Sequence, residues 1–149
     1  MNLDAPQVEL LDEHTPGDTR ILQTHITSPR QIPWVEVEIE SSGPISHVAL
    51  GGKQISYQND PDHPGPYGYL RTIQYWVPPA QGFDLTIEAA SGGNIKVIVR
   101  NYEYGLPEIP GFRYAPRPPD RMPLAREFLP KNRTDTVLVT RSYIFYAQQ

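Results

Sequence analysis

The chain has 149 residues, 38% of them hydrophobic and 20% charged, with a net charge of -4. That length fits one domain around a single core, and no apolar run approaches the roughly 20 residues of a membrane-spanning helix. The absence of cysteine excludes disulfides and thiolate metal sites, and the acidic balance disfavours a dedicated nucleic-acid binder.

From the N-terminus, the polar stretch after Met1 lacks the basic and apolar regions of a signal peptide, so the chain is expected to be either cytoplasmic or a piece of a longer exported protein. Gln7 to Glu13 and Thr19 to Ser28, separated by Thr15-Pro16-Gly17-Asp18, read as an antiparallel strand pair. Trp34 to Glu40 alternates cleanly. Val35, Val37 and Ile39 point one way and Glu36, Glu38 and Glu40 the other, the period of a strand with one wet face. Three carboxylates on one strand face suit acid–base work, but a solvated edge is the simpler reading.

Ile45 to Leu50 and Lys53 to Tyr57 flank Gly51-Gly52, a two-residue hairpin signal that sets Val48 opposite Ile55 and Ser46 opposite Tyr57. Gly52-Lys53 is no phosphate loop, because its first glycine and its Ser/Thr are missing. Asn59, Asp60 and Asp62 carry calcium-type oxygens, yet the spacing lacks the glycine and distal glutamate of a calcium loop, and turn chemistry explains them better.

Leu70 to Val77 is a strand stopped by Pro78-Pro79, and Phe83 to Ala89 alternates with Phe83, Leu85, Ile87 and Ala89 inward. Ile95 to Tyr102 follows and is expected to pair with the preceding strand through an odd-length turn or glycine bulge over Gly92 to Asn94, which sets Ala89 opposite Val97 and Ile87 opposite Val99 and keeps the apolar faces matched. Thr136 to Tyr146 is the last strand. The nine short strands and near-absence of helix predict an all-β antiparallel sandwich of jelly-roll or Greek-key type, a single domain over residues 1–149.

Between the last two strands lies an unusual interruption. Tyr104 to Asp135 holds seven of the 17 prolines together with Leu106, Ile109, Phe112, Tyr114, Met122, Leu124, Phe128 and Leu129, the composition of an ordered strap rather than a solvated linker. Residues 104–133 are net +3 and the remainder -7, so the strap is a basic belt on an acidic body. Pro118-Pro119 is expected to be extended, and Met122 to Leu129 is the one helical candidate.

Candidate chemistry is sparse. His14, His25, His47 and His63 lack metal-ligand spacing, no Gly-x-Ser-x-Gly elbow is present, and Asn132-Arg133-Thr134 is a glycosylation sequon whose meaning depends on a secretory route. Tyr57, Tyr67, Tyr69, Tyr75 and Trp76 lie close in sequence and would suit sugar stacking if exposed. Arg113, Tyr114, Arg117 and Arg121 of the strap, with Tyr67, Tyr75 and Trp76, are the expected interaction surface.

Three segments, His47 to Ile55, Ile73 to Ala89 and Tyr102 to Pro123, followed by Asp135 to Phe145, resemble the C-terminal domain of bacterial membrane-anchored members of metallopeptidase family twenty-eight. Tyr104-Gly105-Leu106-Pro107, then Arg117-Pro118 and the terminal Asp-Thr-x-Leu-Val strand, carry most of the similarity. The resemblance implies an extracytoplasmic, envelope location for a β domain that follows a dinuclear-zinc peptidase domain and transmembrane helices. The family's His-x-Asp and Glu-Glu motifs are absent, so no catalytic residue, no metal ligand and no cofactor is assigned to this chain, and zinc is expected in the parent's peptidase domain alone. The implied partner is the peptidase or membrane part of the same parent, a further protein or an envelope polymer, without nucleic acid and without membrane insertion by this segment. An independent carbohydrate-binding module is the alternative, and a stand-alone hydrolase is disfavoured.

Overall fold

A computed structural model of the chain describes residues 4–29, 32–56, 68–104, 111, 113 and 136–147. The alternating sequences become nine strands: β1 (Gln7–His14), β2 (Thr19–Thr27), β3 (Trp34–Ser41), β4 (Ile45–Leu50), β5 (Lys53–Gln54), β6 (Tyr69–Trp76), β7 (Phe83–Ala90), β8 (Ile95–Tyr104) and β9 (Thr136–Phe145). They pair antiparallel in two sheets, β1-β2-β7-β4-β5 and β6-β3-β8-β9. From β2 to β8 the chain changes sheet at every step except the β4–β5 hairpin, which is the winding of a jelly roll. β1 extends the first sheet beyond β2, and β9 extends the second beyond β8.

The period-2 pattern decides which face closes on the core. Leu22, Ile26, Val48, Leu85, Ile87 and Ala89 of the first sheet meet Val35, Val37, Ile39, Ile73, Ile95, Val97 and Val99 of the second in one buried cluster. Each fully buried aliphatic side chain contributes about 1.5–3 kcal/mol. At the β4–β5 turn both Gly51 (φ 54°) and Gly52 (φ 77°) are left-handed, as a two-residue hairpin requires. Ile55 N donates to Val48 O at 2.8 Å, so the expected Val48–Ile55 register holds, although regular strand stops at Gln54. The expected Ser46–Tyr57 pair lies outside the described residues.

One expected pairing is wrong. β7 and β8 do not form a hairpin: β7 lies between β2 and β4 in the first sheet, and β8 lies between β3 and β9 in the second. Ser91 to Asn94 is a crossover, closed by Gly93 N donating to Ala90 O at 3.3 Å. Two strands that face each other across a core need the same inward apolar rows as two strands side by side, so alternation cannot separate the cases.

β6 ends at Trp76, and the φ of 51° at the next residue, Val77, is costly for a β-branched side chain. Val77 N donates to Pro33 O at 2.9 Å, tying this strained corner to the start of β3. The expected burial of Phe112, Tyr114 and Phe128, the extended Pro118-Pro119 and the turn of helix after Met122 all fall outside the described residues. No helix among the described residues is long and apolar enough to cross a membrane.

Candidate functional site

Among the described residues, the outer face of the second sheet brings together aromatic, ionic and exposed apolar side chains. Because β3 lies between β6 and β8, its outward residues stand in the middle of cross-strand rows. The first row is aromatic. Trp34 is opposite Trp76 on one side and Tyr102 on the other, with ring centroids 5.4 Å and 3.7 Å away and interplanar angles of 22° and 7°. Enclosed between two rings, Trp34 is 4% exposed, whereas Trp76 at the margin is 48% exposed. Aromatic pairs add about 0.5–1.5 kcal/mol each beyond burial.

The next rows are ionic. Arg100 Nη1 donates to Glu36 Oε1 at 3.2 Å and to Glu38 Oε2 at 3.0 Å, and Nη2 donates to Glu38 Oε1 at 3.2 Å. Hydrogen bonding to Glu38, more than the nearby charge of Glu36, raises the Arg100 pKa. Gln74 Nε2 reaches Glu36 Oε2 at 3.5 Å, and Lys96 Nζ donates to Glu40 Oε2 at 2.9 Å. The expectation of a solvated edge for these glutamates is therefore corrected: β3 is an interior strand, and its carboxylates are paired with cations from β8.

Around this centre of three glutamates and two cations stand four exposed apolar side chains. Leu70 and Trp76 on β6 and Leu138 and Ile144 on β9 are between 47% and 50% exposed, and the register sets them at the four corners of the face. The arrangement is an apolar frame around a charged centre.

The residues singled out in the sequence are distributed unequally. Trp76 belongs to the aromatic row. Tyr75, its neighbour, points to the other side of the sheet and meets Phe83 edge-on at 5.1 Å, half-buried against the core. Arg113 is exposed. Tyr67, Tyr114, Arg117 and Arg121 lie outside the described residues. Trp34, Tyr102, Gln74 and Arg100 went unnoticed in the sequence because the row is assembled by pairing among three strands distant in the chain. Their signal was the outward phase of Trp34 with the three glutamates.

Two further polar clusters lie elsewhere. Arg20, 1% exposed, donates from Nε to Glu13 Oε1 (2.8 Å), from Nη1 to Gly93 O (3.0 Å) and Phe145 O (3.2 Å), and from Nη2 to Tyr146 O (2.8 Å). On the outer face of the first sheet, His25 Nδ1 lies 2.6 Å from Asp84 Oδ1 and Nε2 lies 3.0 Å from Gln81 O. Both partners are acceptors, so the imidazolium satisfies them best, and the hydrogen bond to Asp84 followed by that to Gln81 raises the His25 pKa. His14 pairs with Asp12 at 2.8 Å, and His47 lines a recess of about 230 Å³ with Gln54, Ser56 and Arg71. Among the described residues no three His, Asp or Glu side chains converge as a metal site would require.

Comparison with protein-family models, with curated proteins and with solved structures finds no match to this chain.

Proposed function

We propose that this chain is a non-catalytic docking domain of a membrane-anchored zinc peptidase, and that the outer face of the second sheet receives the peptidase part of the same parent protein. The observation that carries the docking reading is the frame of Leu70, Trp76, Leu138 and Ile144 around the paired glutamates. Exposed apolar side chains on one sheet face, with the glutamates between them held by Arg100 and Lys96, suit a protein surface better than a small-molecule cleft. The peptidase parent and the extracytoplasmic location rest on the resemblance of the segments around His47, Ile73 and Tyr102. Titration of the chain with the peptidase portion encoded upstream in the same gene is expected to give saturable binding that Leu70→Glu weakens at least about tenfold. Failure of the unaltered chain to bind that portion removes the reading.

Trp76 favours a second reading. One side of its indole stacks on Trp34 while about half of the residue stays accessible, the posture of a sugar-stacking platform. Soluble envelope glycan fragments are expected to leave the tryptophan fluorescence unchanged. A saturable change that disappears in Trp76→Ala would instead support an independent carbohydrate-binding module.

A further inference from the structure

The outermost strands of the two sheets are not equally protected against pairing with another chain. β1 has a register shift between Leu10 and Asp12 and carries Glu9, Asp12 and Glu13, and β5 is two residues long. Bulges, charges and brevity are how sheet edges are kept from joining others. β6, the other outer strand of the second sheet, is as regular, with eight unshifted pairs to β3 and Arg71 as its one charge, but it is shorter than β9, which has none of these protections either. β9 keeps ten consecutive pairs with β8 without a register shift, contains neither proline nor glycine, and has Arg141 as its single charge. Among the described residues it pairs with β8 alone. Thr140, Arg141 and Ser142 are exposed in succession, and Leu138 (49%), Ile144 (50%) and Tyr146 (68%) are three of the large apolar side chains left open to water.

We propose that β9 is a self-pairing edge, and that two copies of this chain join β9 to β9 antiparallel about a twofold axis through Ser142. The choice of a second copy comes from the register. A shift of one residue sets outward side chains against inward ones and is ruled out by the pleat. Centring the pair on Arg141 sets two guanidiniums face to face, which is destabilising. Centring it on Ser142 removes that clash and gives each exposed apolar residue a partner. Leu138 then stands opposite Tyr146 of the second copy, Thr140 opposite Ile144, Val139 opposite Phe145, and Arg141 opposite Tyr143. The last pair repeats across the axis a contact already present within one copy, where the Arg141 guanidinium lies 5.4 Å from the Tyr143 ring centre. The second sheet then runs through both copies as eight strands.

This inference does not rest on the docking reading, and its variants leave Leu70 and Trp76 untouched, so either can fail alone. Sedimentation of the 149-residue chain over a concentration series is expected to show a reversible monomer–dimer equilibrium. Ser142→Lys sets two ammonium groups opposite each other and is expected to weaken the dimer at least about tenfold with an unchanged far-ultraviolet spectrum and melting temperature. Because the chain has no cysteine, register is read by oxidation of single-cysteine variants. Ser142→Cys opposes itself and is expected to cross-link fastest. Arg141→Cys and Thr140→Cys are offset along the strands beyond the roughly 7 Å Cα separation a disulfide spans. A chain that stays monomeric at every concentration, a dimer indifferent to Ser142→Lys, or cross-linking at Thr140→Cys as fast as at Ser142→Cys would each overturn the proposal.

Discussion

Arg20 and Arg100 meet glutamates at nearly equal distances, 2.8 Å and 3.0 Å, and yet they hold the molecule in different ways. Arg20 is enclosed, and besides Glu13 it satisfies the carbonyls of Gly93, Phe145 and Tyr146. Those groups belong to the crossover between the sheets and to the end of β9, so one side chain joins β1, β2 and both sheets at one end of the sandwich. Arg100 lies on a sheet face, 22% exposed, and bridges two residues of one neighbouring strand whose pairing is already fixed by backbone bonds. An ion pair matters here for what else it is attached to and for how little water can replace it.

The widest separation between the two is expected on truncation. Arg20→Ala leaves Glu13 and three carbonyls without their donor in a closed setting, and the expected loss in urea unfolding is about 3–5 kcal/mol. Arg20→Lys recovers little, since an ammonium cannot reproduce a fork reaching four acceptors. Hydrogen exchange is expected to accelerate first at Ala147, whose amide donates to Asn94 Oδ1 at 3.0 Å beside the lost anchor. A loss below about 1 kcal/mol for Arg20→Ala would place both arginines in the same class and end the distinction.

Neither role was legible from composition or motif, although much of the scaffold was. The inward phase of Val35, Val37 and Ile39, the Gly51-Gly52 hairpin and the last strand follow from local alternation and turn chemistry, which depend on neighbours in sequence. The β7–β8 crossover and the Trp76–Trp34–Tyr102 row depend on which sheet each strand joins, and that is decided by packing among residues up to about 70 positions apart. Arg20 illustrates the same limit: nothing near Thr19-Arg20-Ile21 announces carbonyls more than 120 positions away. Tyr75 and Trp76 show the opposite error, adjacent in sequence and separated by the pleat.

His25 falls between the two arginines. It is 27% exposed while its partner Asp84 is 64% exposed, so solvent screens the pair and its worth is no more than about 1 kcal/mol. A histidine whose folded pKa is raised contributes its full stabilisation below the unfolded value of about 6.5, and the contribution fades as pH rises through the folded pKa. Unaltered chain and His25→Gln are therefore expected to differ most in melting temperature under mildly acidic conditions and to converge in alkaline buffer. Glu9, opposite His25 on β1, adds to the raised pKa, so Glu9→Gln is expected to shrink the difference without removing it. The turn packed under the ring is tight: a Cβ on Gly82 (φ +90°) would collide with Ile26 O and lie 2.7 Å from His25 Nε2, so Gly82→Ala cannot substitute for a test on His25 itself. A gap between the two chains that grows toward alkaline pH would reverse the assigned sign.

The smallest effect belongs to Arg100, and its salt dependence is the sharper measurement. A double-mutant cycle on Arg100→Met and Glu38→Gln is expected to give a coupling of about 0.2–1 kcal/mol, despite the two-pronged contact at 3.0 Å and 3.2 Å. Arg100→Met by itself strands Glu36 and Glu38 on the same face, so its cost exceeds the coupling, and Glu38→Gln in the same chain relieves part of it. Raising ionic strength from about 0.05 M to 1 M shortens the screening length to about 3 Å, and the Arg100–Glu38 coupling is expected to shrink toward zero. The corresponding cycle on Arg20 and Glu13 is expected to hold, because ions do not enter a site that is 2% and 15% exposed. If both couplings fall together with salt, enclosure is not what separates the arginines, and the difference between them must lie in the carbonyls that Arg20 alone engages.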